Sequence, residues 1–176
     1  MANFTITAGH GAGDPGAVAF GRKEADIAVD MRNMVKLYLE RYGHVVHTDG
    51  DGKENKSLNE AIKLIKKSPI AVEFHCNAFD KPTAGGTEVL AQTKDKQLSK
   101  DICEAIVKHL GNKVRGADGG WKSEGSGQHS RLGYVRNGGL IVELFFISNP
   151  TELAVWDEKK WLVAREVADV LNKYAK

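Results

Sequence analysis

A chain of 176 residues, 41% hydrophobic and 27% charged, has the make-up of one globular domain; at that size it buries roughly 68–70% of the surface its unfolded form exposes and needs no disulfide to fold. Its net charge of +2 excludes a strong nucleic-acid footprint, though an anionic polymer stays compatible as a partner. Cys76 and Cys103 make no disulfide framework and are expected as free thiols, the N-terminus lacks a basic and apolar leader pattern, and no apolar run approaches the about 18 residues that a membrane helix requires.

The chain opens on a short β-type run, Asn3 to Thr7, which breaks at Gly9, His10 and Gly11. A glycine-rich loop leads to Glu24. From there Ile27, Met31, Met34, Val35, Tyr38 and Leu39 recur at helical spacing, which predicts a helix over 24–42 stopped by Gly43. HVVHTD (44–49) predicts a short strand, and 49–56 a polar loop. Ser57 and Glu60 have the spacing of a capping box, so a second helix is expected from there to about Lys67, ended by Pro69. IAVEFH (70–75) reads as a buried strand finishing on His75.

Pro82 and the pair Gly85-Gly86 mark a loop, and TEVLAQ (87–92) reads as a strand. A third helix is expected over 96–110, with Leu98, Ile102, Ala105, Ile106 and Leu110 on its apolar face and Gly111 beyond its end. Residues 116–130 read as a long loop rich in glycine and serine, of a length that is usually functional or mobile. LGYVR (132–136) and GLIVELFF (139–146) predict strands, the second apolar except for Glu143. Asn149-Pro150 breaks the chain. Two helical pieces are expected after it, about 151–156 and 157–174, the second burying Trp161, Leu162, Ala164, Val167, Ala168 and Leu171. Strands alternate with helices, so the expected fold is a single α/β domain. Its sheet should be mixed and mostly parallel, flanked by helices on both faces.

His10, His75 and Glu143 fall at or near the ends of three apolar strands, and Glu24 opens the first helix. With right-handed crossovers all four reach one edge of the sheet. Two imidazoles and one carboxylate are a recognised catalytic zinc set that leaves a position for water. A further carboxylate, not bound to the metal, can then move the water proton to a leaving nitrogen. The chain offers that number of groups at plausible places.

Simpler readings stand beside this one. Gly11-x-Gly13-x-x-Gly16 after a strand matches a dinucleotide fingerprint, but Gly21 delays the helix and the acidic residue that would follow, Asp49, comes too late. Taken singly, His10 reads as a turn histidine and His75 as a satisfied strand-end histidine. Glu24 reads as a carboxylate facing a helix dipole. A lone carboxylate in an apolar strand needs a partner, so Glu143 could pair with Arg131 or Arg136. His44 and His47 point to opposite faces of a strand and make a poor metal pair. His109 ends a helix, where a cation is favourable, and His129 in the long loop suits solvent exposure or, as the alternative, a substrate contact. Cys76 and Cys103 read as packing residues. Trp121 suits either a sugar contact or loop anchoring.

The motifs AGHGAGDPGA (8–17) with Glu24 downstream, FHCNA (74–78), GGTEVL (85–90), VRGAD (114–118) and VELFFISN (142–149) extend over essentially the whole chain. Together they resemble the zinc-dependent N-acetylmuramoyl-L-alanine amidases of the Amidase_3 type. Ala8 stands where that family often has proline, and Cys76 occupies a variable position; neither change touches a ligand. The resemblance implies one zinc ion held by His10, Glu24 and His75, with Glu143 as general base. It implies cleavage of the amide between the lactyl group of N-acetylmuramic acid and L-alanine in peptidoglycan, with the 116–130 loop flanking the groove.

On this reading residues 1–176 are a catalytic amidase domain without a separate wall-binding domain. The expected protein is a monomer without nucleic-acid partner or stable membrane association. It resembles a single-domain phage endolysin, made in the host cytoplasm and acting on the wall after holin-type release. A bacterial or prophage autolysin of the same chemistry, a catalytically inactive wall-binding homologue and a zinc peptidase acting within the stem peptide are the competing functions.

Overall fold

The computed structural model describes residues 1–126 and 132–175. Strand β1 (Asn3–Ala8) is buried beyond its first residue. Phe4, Ile6 and Ala8 enter the main core, while Thr5 and Thr7 bond to groups on the opposite side, as the two-residue period of a strand requires. A small antiparallel ribbon, β2 (Val18–Ala19) with β3 (Arg22–Lys23), follows the glycine-rich loop and delivers the chain into helix α1 (Glu24–Arg41). Next come β4 (Val45–Thr48), α2 (Leu58–Ile65), β5 (Ile70–Asn77) and β6 (Glu88–Leu90). A short 3-10 turn runs into α3 (Lys96–Leu110), which Gly111 closes in a left-handed conformation. The remaining elements are β7 (Trp121–Lys122), α4 (Gly133–Arg136), β8 (Leu140–Phe146) and α5 (Pro150–Lys173).

The strands form one sheet in the order β4-β1-β5-β8-β6-β7. β4, β1, β5 and β8 run parallel; β6 is antiparallel to β8, and β7 follows β6 in parallel. β1, β5 and β8 are buried along nearly their whole length, as suits central strands covered on both faces. One face packs against α1, α3 and α5 through residues such as Ile27, Ile102, Val167, Phe74 and Val142. The other carries a smaller core of Ala61 and Ile65 from α2, Tyr134 and Val135 from α4, and Ala71, Leu90 and Ile141 from the sheet. The mixed, mostly parallel sheet with helices on both faces is the expected α/β architecture.

Several local expectations are corrected. LGYVR is not a strand: residues 133–136 form one helical turn. Tyr134 and Val135 are adjacent and enter the same core, which a strand would forbid because neighbours point to opposite faces. The two helical pieces after Asn149 are one 24-residue helix. Asn149 starts it, its side chain accepting the N–H groups of Thr151 and Glu152, and Pro150 occupies the first turn, where its missing N–H costs nothing. No glycine or proline interrupts the helix near 157. Trp161 and Leu162 are exposed, Trp161 by 51%; the buried face runs through Leu153, Trp156, Val163, Ala164, Val167 and Leu171. Ser57 caps no backbone N–H; its hydroxyl lies 3.3 Å from the Glu60 carboxylate and donates to it. β5 continues past His75 to Asn77.

Candidate metal centre

The sheet brings His10, Glu24 and His75 together at the carboxyl ends of β1 and β5. After β1 the Gly9 N–H bonds to the Phe74 carbonyl, 2.9 Å away, so the chain is still held to β5 as it turns. His10 itself takes a φ of 66°, a left-handed conformation that costs a non-glycine residue roughly 1–2 kcal/mol. Such strain persists where surrounding structure dictates the position of a working side chain. His10 Nε2 lies 2.9 Å and His75 Nδ1 3.0 Å from the same oxygen, Glu24 Oε1. The two rings meet edge to face with centroids 5.1 Å apart.

Glu24 is 4% exposed, and its carboxylate also accepts the N–H groups of Ala17 and Cys76, each at 3.0 Å. Burial alone would raise its pKa. The hydrogen bonds from His10 and His75 outweigh burial and hold it well below the usual carboxylate range. The bond to Glu24 raises His10 against the opposing effect of burial. For His75 burial works downward, but Glu24 and Glu73 carry it well above the ordinary imidazole value.

These residues fit a metal ion. One ligand atom from each of the three lies within 4.8 Å of the others. The edges of a tetrahedral zinc site with bonds of about 2.1 Å measure roughly 3.4 Å, so only a slight opening of the trio is required. The cradle is also glycine-dependent. A Cβ on Gly9 would sit 2.2 Å from His75 Cε1, and one on Gly16 would sit 2.6 Å from His10 Cδ2 and 2.7 Å from Glu24 Oε2.

Glu143 stands beside this trio. It is the register partner of His75 across β5 and β8, is 7% exposed, and its charge contributes to raising His75. Arg136, one ion partner expected for it, pairs instead with Glu124. Arg131, the other, and His129 lie outside the described residues, as does part of the 116–130 loop.

Three carboxylates escaped the sequence reading. Asp14 Oδ2 lies 2.8 Å from His10 Nδ1, and Glu73 Oε1 lies 2.9 Å from His75 Nε2, so each imidazole has an acid on its outer nitrogen. Asp14 lies in a glycine-rich loop, where no periodicity marks it, whereas Glu73 is visible as a charge in an apolar strand. Glu88, opposite Glu143 on β6, accepts from Asn77, Arg115 and Lys122. Trp121 anchors its loop, donating from Nε1 to the Ala91 carbonyl while Lys96 covers its ring. His44 is tied to the Ala2 N–H and Asn172, a structural role.

The edge of a mostly parallel sheet with a His-Glu-His trio and an adjoining buried carboxylate is an arrangement that suits a hydrolytic metal site. The chain matches the Amidase_3 family, described as N-acetylmuramoyl-L-alanine amidase, over residues 5–173. It belongs to that family. A solved structure from Neisseria meningitidis, assigned as an N-acetylmuramoyl-L-alanine amidase, is 45% identical with a TM-score of 0.91, covering 98% of this chain and 95% of that one. The catalytic domain of CwlV, an N-acetylmuramoyl-L-alanine amidase from Bacillus (Paenibacillus) polymyxa var. colistinus, shares the fold at a TM-score of 0.84 and 23% identity, covering 99% of this chain and 98% of that one. The germination-specific N-acetylmuramoyl-L-alanine amidase of Bacillus subtilis (strain 168) is 24% identical over 172 residues, 87% of this chain and 70% of the relative.

Proposed function

We propose that this chain is a zinc-dependent amidase that cleaves the bond between the lactyl group of N-acetylmuramic acid and L-alanine in peptidoglycan. The observation that carries the reading is the convergence of His10, Glu24 and His75 on one point, with Glu143 as the cross-strand neighbour of His75. Family membership supplies the substrate class. When bound, one zinc ion supplies a Lewis acid for the amide carbonyl and lowers the pKa of its water to about 7.

His10, Glu24 and His75 would hold the ion, and the hydrogen bonds from the Ala17 and Cys76 N–H groups fix the Glu24 carboxylate. Glu143 accepts the proton of the attacking water and passes it to the departing nitrogen. The carbonyl carbon gains an oxygen, the C–N bond breaks, and the products are a lactyl carboxylate and an L-alanine amine.

Digestion of purified peptidoglycan followed by mass analysis tests this. The expected products are intact muramic acid and stem peptides with a free L-alanine N-terminus, formed without chelator, lost with it, and restored by zinc. Free amines at inner stem positions would make the protein a zinc peptidase. Retained wall binding and zinc content without any product would make it an inactive homologue.

The biological setting belongs to the same proposal. We take the protein to act as a monomer, an endolysin that leaves the cytoplasm when the membrane is opened. No helix among the described residues is long and apolar enough to cross a membrane. Expression in cells with and without a membrane-opening protein tests the route: lysis is expected only in its presence. Lysis without it would point to an autolysin with its own export.

A further inference from the structure

We propose that Glu73 is a positioning residue for the metal, holding the His75 ring so that Nδ1 faces His10 and Glu24 while Nε2 is turned away. This rests on the metal site proposed above and adds a residue to it. Glu73 and His75 are two apart on β5, so their side chains leave the same face. Glu73 is 3% exposed at its side chain, and Oε1 lies 2.9 Å from His75 Nε2.

The other oxygen is held as well. Thr7, the register partner of Glu73 on β1, approaches Oε2 at 3.0 Å, and the Tyr134 hydroxyl lies 3.0 Å from Thr7 Oγ1. Thr7 lies between the two, its Oγ1 within hydrogen-bond reach of both the Glu73 carboxylate and the Tyr134 hydroxyl. Burial pushes the Tyr134 phenol well above its usual range and keeps its proton in place.

This run of contacts from α4 through β1 ends on Glu73 Oε2 and leaves Oε1 to His75 Nε2. Nδ1 is then the ring nitrogen turned toward Glu24, the one that would meet a metal. A ligand imidazole whose outer N–H meets a carboxylate is both oriented and made more basic. The ring fills the space that a side chain at Gly9 would take, since a Cβ there would fall 2.2 Å from its Cε1. The counterpart on His10 is weaker. The Asp14 side chain is 60% exposed, and water screens its hold.

The test is zinc affinity of the purified full chain, by competition with a chromophoric chelator, together with the visible spectrum of the cobalt-loaded protein. Glu73→Ala is expected to weaken zinc binding about 10–100-fold and to alter the cobalt spectrum. Glu73→Gln, which keeps the shape and a neutral acceptor, should lose several-fold and retain more of the wild-type spectrum. Folded Glu73→Ala with zinc affinity within twofold of wild type and an unchanged cobalt spectrum overturns the proposal, even if its metal-free form is less stable. If Glu73→Ala does not fold, the same result in Glu73→Gln overturns it. Glu24→Ala separates the two levels. If wild type binds zinc no better than Glu24→Ala, the metal reading falls and Glu73 with it. Tight binding by wild type beside equally tight binding by the Glu73 variants removes Glu73 alone.

Discussion

Glu143 and His75 are direct register partners in the parallel pair β5 and β8, so both side chains leave the sheet on one face, and the carboxylate stands next to a ring that can serve as a metal ligand. In the proposed reaction the proton carrier has to sit there. Glu143→Gln keeps the shape and removes the base. Turnover on purified wall should fall roughly 10²–10⁴-fold, with zinc content unchanged. Loss of zinc from that variant would make Glu143 a ligand, and near-normal turnover would remove it from the proton path.

Gly16 is the backbone against which His10 and Glu24 rest. Gly16→Ala would place a methyl 2.6 Å from His10 Cδ2 at a φ of 66°, so it should lower zinc affinity as well as stability. Gly13 has a φ of 94° but nothing within 4 Å of its virtual Cβ. Gly13→Ala should therefore show only the backbone cost, about 1–2 kcal/mol. Paired chelator competition and urea unfolding check the contrast; equal zinc affinity in the two variants would mean the cradle is not sterically set.

The parts of this site that were legible in the sequence are those that break a pattern. Glu143 stood out because β8 is otherwise apolar, and His10 because glycines surround it. Glu73 broke the pattern of β5 in the same way, yet its meaning needs Thr7 and Tyr134, which arrive from β1 and from a helical turn far along the chain. That turn was itself misread: five residues are too few for periodicity to separate strand from helix, and only the shared burial of Tyr134 and Val135 decides. The β2–β3 ribbon is two residues per strand, below what alternation can show. Most of the buried face of α5 was legible (Ala164, Val167, Ala168 and Leu171), but not its continuity through 157, nor that Trp161 and Leu162 lie just off the buried stripe.

The polar loop at 49–56 hides a second structural dependency. Arg32 is fully buried on α1, 3.2 Å from Asp49, and donates to the carbonyls of Glu54 and Gly52. Asn55 then donates to the Gly9 carbonyl at 2.8 Å, next to His10. Arg32→Ala should cost about 3–5 kcal/mol, since it strands a buried carboxylate. It should also weaken zinc binding by loosening the loop. Removing Asp49 as well should recover part of the stability, a non-additivity expected of contacting residues. Urea unfolding of the single and double variants is the check; a loss below about 1 kcal/mol in Arg32→Ala would mean the pair behaves like a surface contact.

Both cysteines are free and buried. Burial, with the nearby Glu88 charge, pushes the Cys103 thiol up to about 12, and burial carries Cys76 well above its ordinary value. Because the thiolate is the reactive form, neither should react with a disulfide reagent at pH 8 in the native protein, and both should react once it is unfolded. The linkage has a definite sign. A folded-state thiol pKa above the unfolded value, about 8.5, contributes stability that is complete below that value. The contribution is lost as pH rises toward about 12 for Cys103. Unfolding free energy should thus decline above pH 9 with a slope that Cys103→Ala reduces. Fast labelling of the native protein at pH 8, or an unchanged slope in that variant, would show that the Cys103 thiol is not shielded by the packing of α3.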